Sequence, residues 1–171
     1  MKQGLVIALI VMALAGRLVP HPDNFTPVLA VALFGGAMLP GAGAFLVPVA
    51  ALFLSDLALG NSLGWMTVVI YGAFLAGAGI GRWLGPRRTW TRTAFAAVGG
   101  SLLFYVVTNF AVWALPGGHA PLYPATLAGL AESYWMGLPF LRNGLAGDLF
   151  WTAVLFGVFD LARSRAGRAT A

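Results

Sequence analysis

Cysteine is absent from this chain. Disulfides, thiolate metal sites and thiol nucleophiles are thereby excluded. Charge is scarce as well: Asp, Glu, Lys and Arg make up 9% of the residues, against about 25% in an ordinary soluble domain. Five acidic and ten basic side chains cannot cover a water-soluble globule of 171 residues. The solvent around most of the chain is therefore expected to be lipid. Also missing are a Walker A loop, a strand-to-helix dinucleotide fingerprint and an HExxH pair. The chain by itself is not expected to hydrolyse ATP. Two histidines and scattered carboxylates have no spacing that argues for a metal site, and no cofactor is implied. Nothing positions a base beside Ser55 or Ser101, so the chain does not read as an enzyme.

What is present is apolar sequence, 60% hydrophobic with a mean hydropathy of +0.86. A bilayer core about 30 Å thick needs roughly 20 helical residues to cross it. Six segments qualify or nearly do: about Gly4 to Gly16, Phe25 to Leu39, Ala42 to Leu59, Leu63 to Leu84, Thr93 to Leu115, and a last one from Leu138 or Gly144 to Ala162. The second and third are short for spanning helices. Gly- and Pro-rich breaks such as "LPGAG", "LGNSLG" and "LPGGHAPLYP" separate them. The expectation is an all-α integral membrane protein with about six transmembrane helices, in which residues 1–171 form a single transmembrane domain. The stretch "YPATLAGLAESYWMGLPF" is too polar and short to span, and reads as a short interfacial helix on the outer side.

Basic residues orient the segments. With the N-terminus in the cytoplasm, Lys2, Arg82, Arg87, Arg88, Arg92, Arg163, Arg165 and Arg168 fall inside, and only Arg17 and Arg142 fall outside. Both termini are then cytoplasmic. The net charge of +5 records this topology rather than an affinity for nucleic acid. "MKQGLVIALIVMALAGR" also resembles a secretory signal, but a retained first helix is the better reading because the next segment follows almost at once.

On this topology the varied polar residues gather on the outer side: Arg17, His21, Asp23, Asn24, Asn61, His119, Tyr123, Glu132, Arg142 and Asn143, with Asp56 and Asp148 about one turn inside. An ionisable group in a membrane must pair or face water. Arg17, Arg142, His21 and His119 are the cations available at that depth. Salt bridges pinning loops to helix ends are one reading; a ligand pocket open to the outside is the other. Ser101, Tyr105 and Asn109 recur every fourth residue and form one stripe with Thr108, with Trp113 at its edge. Such a stripe faces protein or water rather than lipid. Thr67 and Tyr71 make a shorter stripe. Gly77 and Gly81, in "AGAGIG", are expected to let two helices approach closely.

Several long stretches resemble, in order, a family of uncharacterised prokaryotic membrane proteins described as transport proteins. They are "RLVPHPDNFTPVLAVALFGGA", "LFLSDLALG", "VIYGAF", "VVTNFAVWA", "LYPATLAGL" and "GLPFLRNGLAGDLFWTAVLFG". Size, helix count and loop arrangement are similar to the substrate-binding S components of energy-coupling factor (ECF) transporters. That resemblance implies a prokaryotic inner membrane location and a vitamin-like micronutrient captured in an outward pocket. It also implies docking on an energy-coupling transmembrane subunit attached to ATPases, through small residues on the first helix, here Gly4, Ala8 and Ala15. On this reading Arg17, His21, Asp23 and Asn24 form the pocket rim, stiffened by the loop prolines. Asp56, Tyr71, Asn109, Arg142 and Asp148 line the interior, with Trp113 and Asn143 beside them. The rival readings are a structural or assembly subunit whose polar cluster is a salt-bridge network, and an integral-membrane enzyme acting on a lipid-linked substrate.

Overall fold

The computed structural model describes residues 2–115 and 121–169. Among them are six helices and no strand: α1 Lys2–Leu18, α2 Val28–Met38, α3 Gly43–Leu59, α4 Trp65–Leu84, α5 Trp90–Ala114 and α6 Leu127–Ala169. Successive helices reverse direction. Arg17 near the end of α1 meets Asp56 near the end of α3, and Phe74 of α4 stacks on Phe104 of α5. One end of the bundle, the rim, therefore carries the α1–α2, α3–α4 and α5–α6 connections. The other end carries most of the arginines.

The shortest helix forms the axis. Every residue of α2 from Val28 to Ala37 is buried, and all five other helices touch it. A helix that is apolar all round belongs in an interior. Its 11 residues measure about 16 Å, roughly half a bilayer core. The second apolar segment is thus shorter than its sequence suggests, because Phe25 and Thr26 belong to the preceding connection. Against α4 it packs backbone to backbone. A Cβ built on Gly81 would lie 2.1 Å from the Leu33 carbonyl oxygen, and one on Gly36 would lie 2.1 Å from that of Ala78. The glycine pair in α4 serves this internal contact.

Helices α4, α5 and α6 are long and apolar enough to cross a membrane; α1, α2 and α3 are shorter. Large apolar side chains such as Val68, Phe95 and Val158 stand exposed on the long helices. A soluble monomer rarely exposes so much contiguous apolar surface, so a membrane location fits.

The expected interfacial helix is not a separate element. Residues from Leu127 onward run without interruption into the last apolar segment, forming one helix of 43 residues, about 65 Å long. Pro139 lies inside it. A proline removes one backbone hydrogen bond, whereas ending a helix leaves several groups unsatisfied, and lipid offers them no partner. The polar character of "ESYW" is absorbed by α5. Tyr105 Oη donates to the Tyr134 carbonyl at 2.6 Å, Tyr134 Oη to that of Val106 at 3.1 Å, and Ser133 Oγ to that of Asn109 at 2.9 Å. Thr126 opens α6, its hydroxyl accepting the Gly129 N–H at 3.1 Å.

At the arginine end a second lock forms. Arg88 Nη2 lies 2.9 Å from both Asp160 oxygens, and its guanidinium stands over the Phe156 and Trp90 rings.

Candidate functional site

Two polar constellations lie towards the rim, and local backbone chemistry builds each. The first surrounds Asp56. Helix α3 ends at Gly60, whose φ of 69° places it in the left-handed region. Asn61 N–H then returns to the Asp56 carbonyl at 2.9 Å, a glycine-dependent helix terminus. That turn sets the Asn61 amide beside the Asp56 side chain, where Nδ2 donates to Oδ1 at 3.1 Å. Tyr71 Oη donates to Oδ2 at 2.8 Å. Arg17, in the last turn of α1 rather than in the loop, completes the set with Nη2 2.8 Å from Oδ1. Its other arm reaches Ser55 Oγ. Both carboxylate oxygens are thus satisfied, and the cluster ties α1, α3 and α4 together.

The second constellation surrounds a cavity of about 60 Å³ between α4, α5, α6 and the α1–α2 connection. Helix α5 contributes Ser101, Phe104, Tyr105, Thr108 and Asn109, one face at helical spacing. Helix α6 contributes Leu141, Gly144, Leu145 and Asp148 on its own inner face. The connection supplies Asn24 and Thr26. Asn24 has a φ of 61°, and its carbonyl accepts the Thr26 N–H at 2.9 Å, which folds the chain back over Gly144 and Gly147 of α6. A single water needs roughly 10–15 Å³ of such space. The space therefore holds a few waters or a solute of a few non-hydrogen atoms. It is smaller than the pockets of about 300–1,000 Å³ that take drug-sized ligands.

A family model matches residues 1–170. The chain belongs to DUF6580, a family of unknown function. Comparison with curated proteins and with solved structures gives no match.

Asp148 distinguishes the cavity of this DUF6580 chain from its Asp56 cluster. The residue is 8% exposed, and Oδ2 accepts from Ser101 Oγ at 2.7 Å. Oδ1 has no hydrogen-bond partner among the described residues. Ser101 has a single proton and a second acceptor in reach, the Ala97 carbonyl at 3.0 Å. It can serve an ionised Asp148 only by giving up that carbonyl. The ion pairs among the described residues are Arg17–Asp56 and Arg88–Asp160, so Asp148 has no cation beside it.

The eleven candidate residues therefore do not share one hollow. Arg17, Asp56 and Tyr71 join the first cluster; Asn24, Asn109 and Asp148 line the cavity. His21 and Asp23 are exposed on the connection, with His21 Nδ1 2.8 Å from the Pro22 carbonyl oxygen. Trp113 donates its indole N–H to the Pro124 carbonyl at 3.0 Å and so closes the α5–α6 connection. Arg142 is exposed and Asn143 half-buried, and neither lines the cavity. His119 lies outside the described residues. Phe74, Phe104 and Phe140, unremarkable in an apolar chain, turn out to wall the cavity. Phe104 carried one signal: it sits three residues after Ser101, on the same stripe. Among the described residues no three His, Cys, Asp or Glu side chains gather to hold a metal ion.

Proposed function

We propose that the protein is a membrane solute-capture subunit that takes a small polar solute from the outer side for uptake. The observation that carries this reading is the buried Asp148 carboxyl, unpaired by any cation among the described residues and facing a cavity between long apolar helices. Intramembrane ionisable groups face cavities or partners, and mark binding sites and pathways. In this reading the chain passes through a prokaryotic inner membrane six times, with both termini in the cytoplasm. The positive-inside bias supports that orientation. Helix α2 completes a pass despite its length because its ends meet protein rather than lipid.

The S-component-like part of the proposal concerns energy. Such a subunit docks on a coupling subunit attached to ATPases. On α1, Gly4, Ala8 and Ala15 lie on one exposed face, which suits close approach by a partner helix. The size of the cavity favours a solute smaller than a vitamin. A second reading applies to the Asp56 cluster alone: its groups satisfy one another, which favours a structural role there.

Native mass spectrometry of the mildly purified full chain tests the capture reading. A small-molecule adduct is expected, and Thr108→Val with Asn109→Ala should shed it without altering the elution volume. An unliganded mass, together with no stabilisation by any member of a broad solute library, overturns the proposal.

A further inference from the structure

The capture reading leaves the class of solute open, and the lining of the cavity narrows it: we propose that the site binds a small organic ammonium ion, with Asp148 as its counter-ion. The inference rests on the capture reading, and four observations support it. First, Asp148 Oδ1 is without a partner among the described residues, on a residue that is otherwise buried. Second, among the described residues no Lys, Arg or His lines the cavity, so an anion would meet a carboxyl and no balancing charge from them. The other polar groups there are neutral hydroxyls and amides, from Asn24, Thr26, Thr108 and Asn109. Third, Phe74, Phe104 and Phe140 share the wall, and the face of an aromatic ring attracts a cation. Fourth, the volume of about 60 Å³ admits an amine of a few heavy atoms.

An ammonium group presents three N–H donors. One carboxylate and two neutral oxygens satisfy them. A divalent metal demands more: six or so oxygen ligands, usually with several carboxylates. The cavity has a single carboxyl. The apolar remainder of the wall suits the short hydrocarbon body of an amine and would be idle around a bare ion.

Calorimetry on the full chain in lipid nanodiscs tests this, with ethylammonium chloride, ethanol and sodium acetate as solutes of similar size and different charge. Ethylammonium alone should bind. Asp148→Asn, which keeps a hydrogen-bonding group opposite Ser101, should weaken it roughly thirtyfold or more. Arg142→Ala, outside the cavity, should leave it unchanged. Equal binding of ethanol or acetate overturns the ammonium assignment, as does undiminished affinity in a well-folded Asp148→Asn protein or no binding of ethylammonium. If that variant does not fold, the three-solute comparison on the unsubstituted chain decides by itself. Uptake of labelled methylammonium by the native cells, compared with the same cells lacking the chain, separates the two claims. Binding without uptake removes the capture reading and leaves the ligand class. A neutral or anionic molecule carried through purification in the cavity removes the ligand class and leaves capture.

Discussion

Arg17 and Asp56, separated by 39 positions in the chain, meet at 2.8 Å and join α1 to α3 at the rim. The contact is shared, because Asn61 and Tyr71 donate to the same carboxylate. Removing one partner differs from removing both charges. Arg17→Ala strands a largely buried anion and should destabilise the protein by about 3 kcal/mol. Combining Arg17→Met with Asp56→Asn keeps an acceptor for Asn61 and turns the Tyr71 contact round, the new amide N–H donating to Tyr71 Oη, and should recover most of that loss. Denaturant unfolding in detergent, followed by circular dichroism, measures the difference. Equal losses in both variants would mean that the ion pair itself, rather than the stranded charge, sets the energy.

The α2–α4 contact predicts a sharp contrast between two glycines of one helix. Gly81→Ala places a methyl group against the Leu33 backbone, which cannot rotate aside. A loss of about 1–3 kcal/mol or more is expected. Gly72 has nothing within 4 Å of a built Cβ and is exposed. Gly72→Ala should be neutral or slightly stabilising, since alanine is the better helix former by about 1 kcal/mol. Parallel thermal melts in the same detergent compare the two.

At the arginine end, the Arg88 side chain is 4% exposed whereas that of Asp160 is 43% exposed. The Asp160 carboxylate is the counter-ion of a guanidinium that is itself buried, so Asp160→Asn strands that charge and should cost about 3 kcal/mol. Arg88→Lys can retain the ion pair but loses the flat guanidinium over Phe156 and Trp90, and should cost about 1 kcal/mol. A smaller loss for Asp160→Asn than for Arg88→Lys would reverse the assignment. Thermal unfolding of the two variants reads out the order.

Gly144 offers a way to close the cavity without replacing any of its polar groups. A built Cβ there meets only Asn24, at 3.5 Å from its Cβ and 3.8 Å from its carbonyl oxygen. Gly144→Leu should fill the space and abolish solute binding, while the melting temperature stays within a few degrees of the parent. Loss of folding in step with loss of binding would show that Gly144 is needed for the α1–α2 connection to seat on α6. Native mass spectrometry and a thermal melt on the same preparation give both readings.

Much of the architecture was legible in the residues. Low charge and long apolar runs predict helices in lipid, and five of the six helices begin and end within a few positions of their expected places. Gly77 and Gly81 announced a close helix contact. The stripe of Ser101, Tyr105, Thr108 and Asn109 does face the cavity, because a helix keeps its period wherever it packs. Two features misled. Polarity and Pro139 suggested a break where α6 continues, because a neighbouring helix can absorb polar groups that look exposed in one dimension. Clustering on one side suggested one hollow, where the structure has a closed salt-bridge cluster and a separate cavity.

The amino-acid sequence alone determined the apolar, all-helical character of the chain, the approximate place of most helices and the polar stripe along α5, since each follows from composition and local period. Only the tertiary structure decided which acid is paired. Asp56 and Asp148 are the same side chain in similar apolar surroundings along the chain. One meets a guanidinium carried by another helix; the other meets a serine hydroxyl and open space. That difference depends on contacts tens of residues apart, which no local pattern encodes.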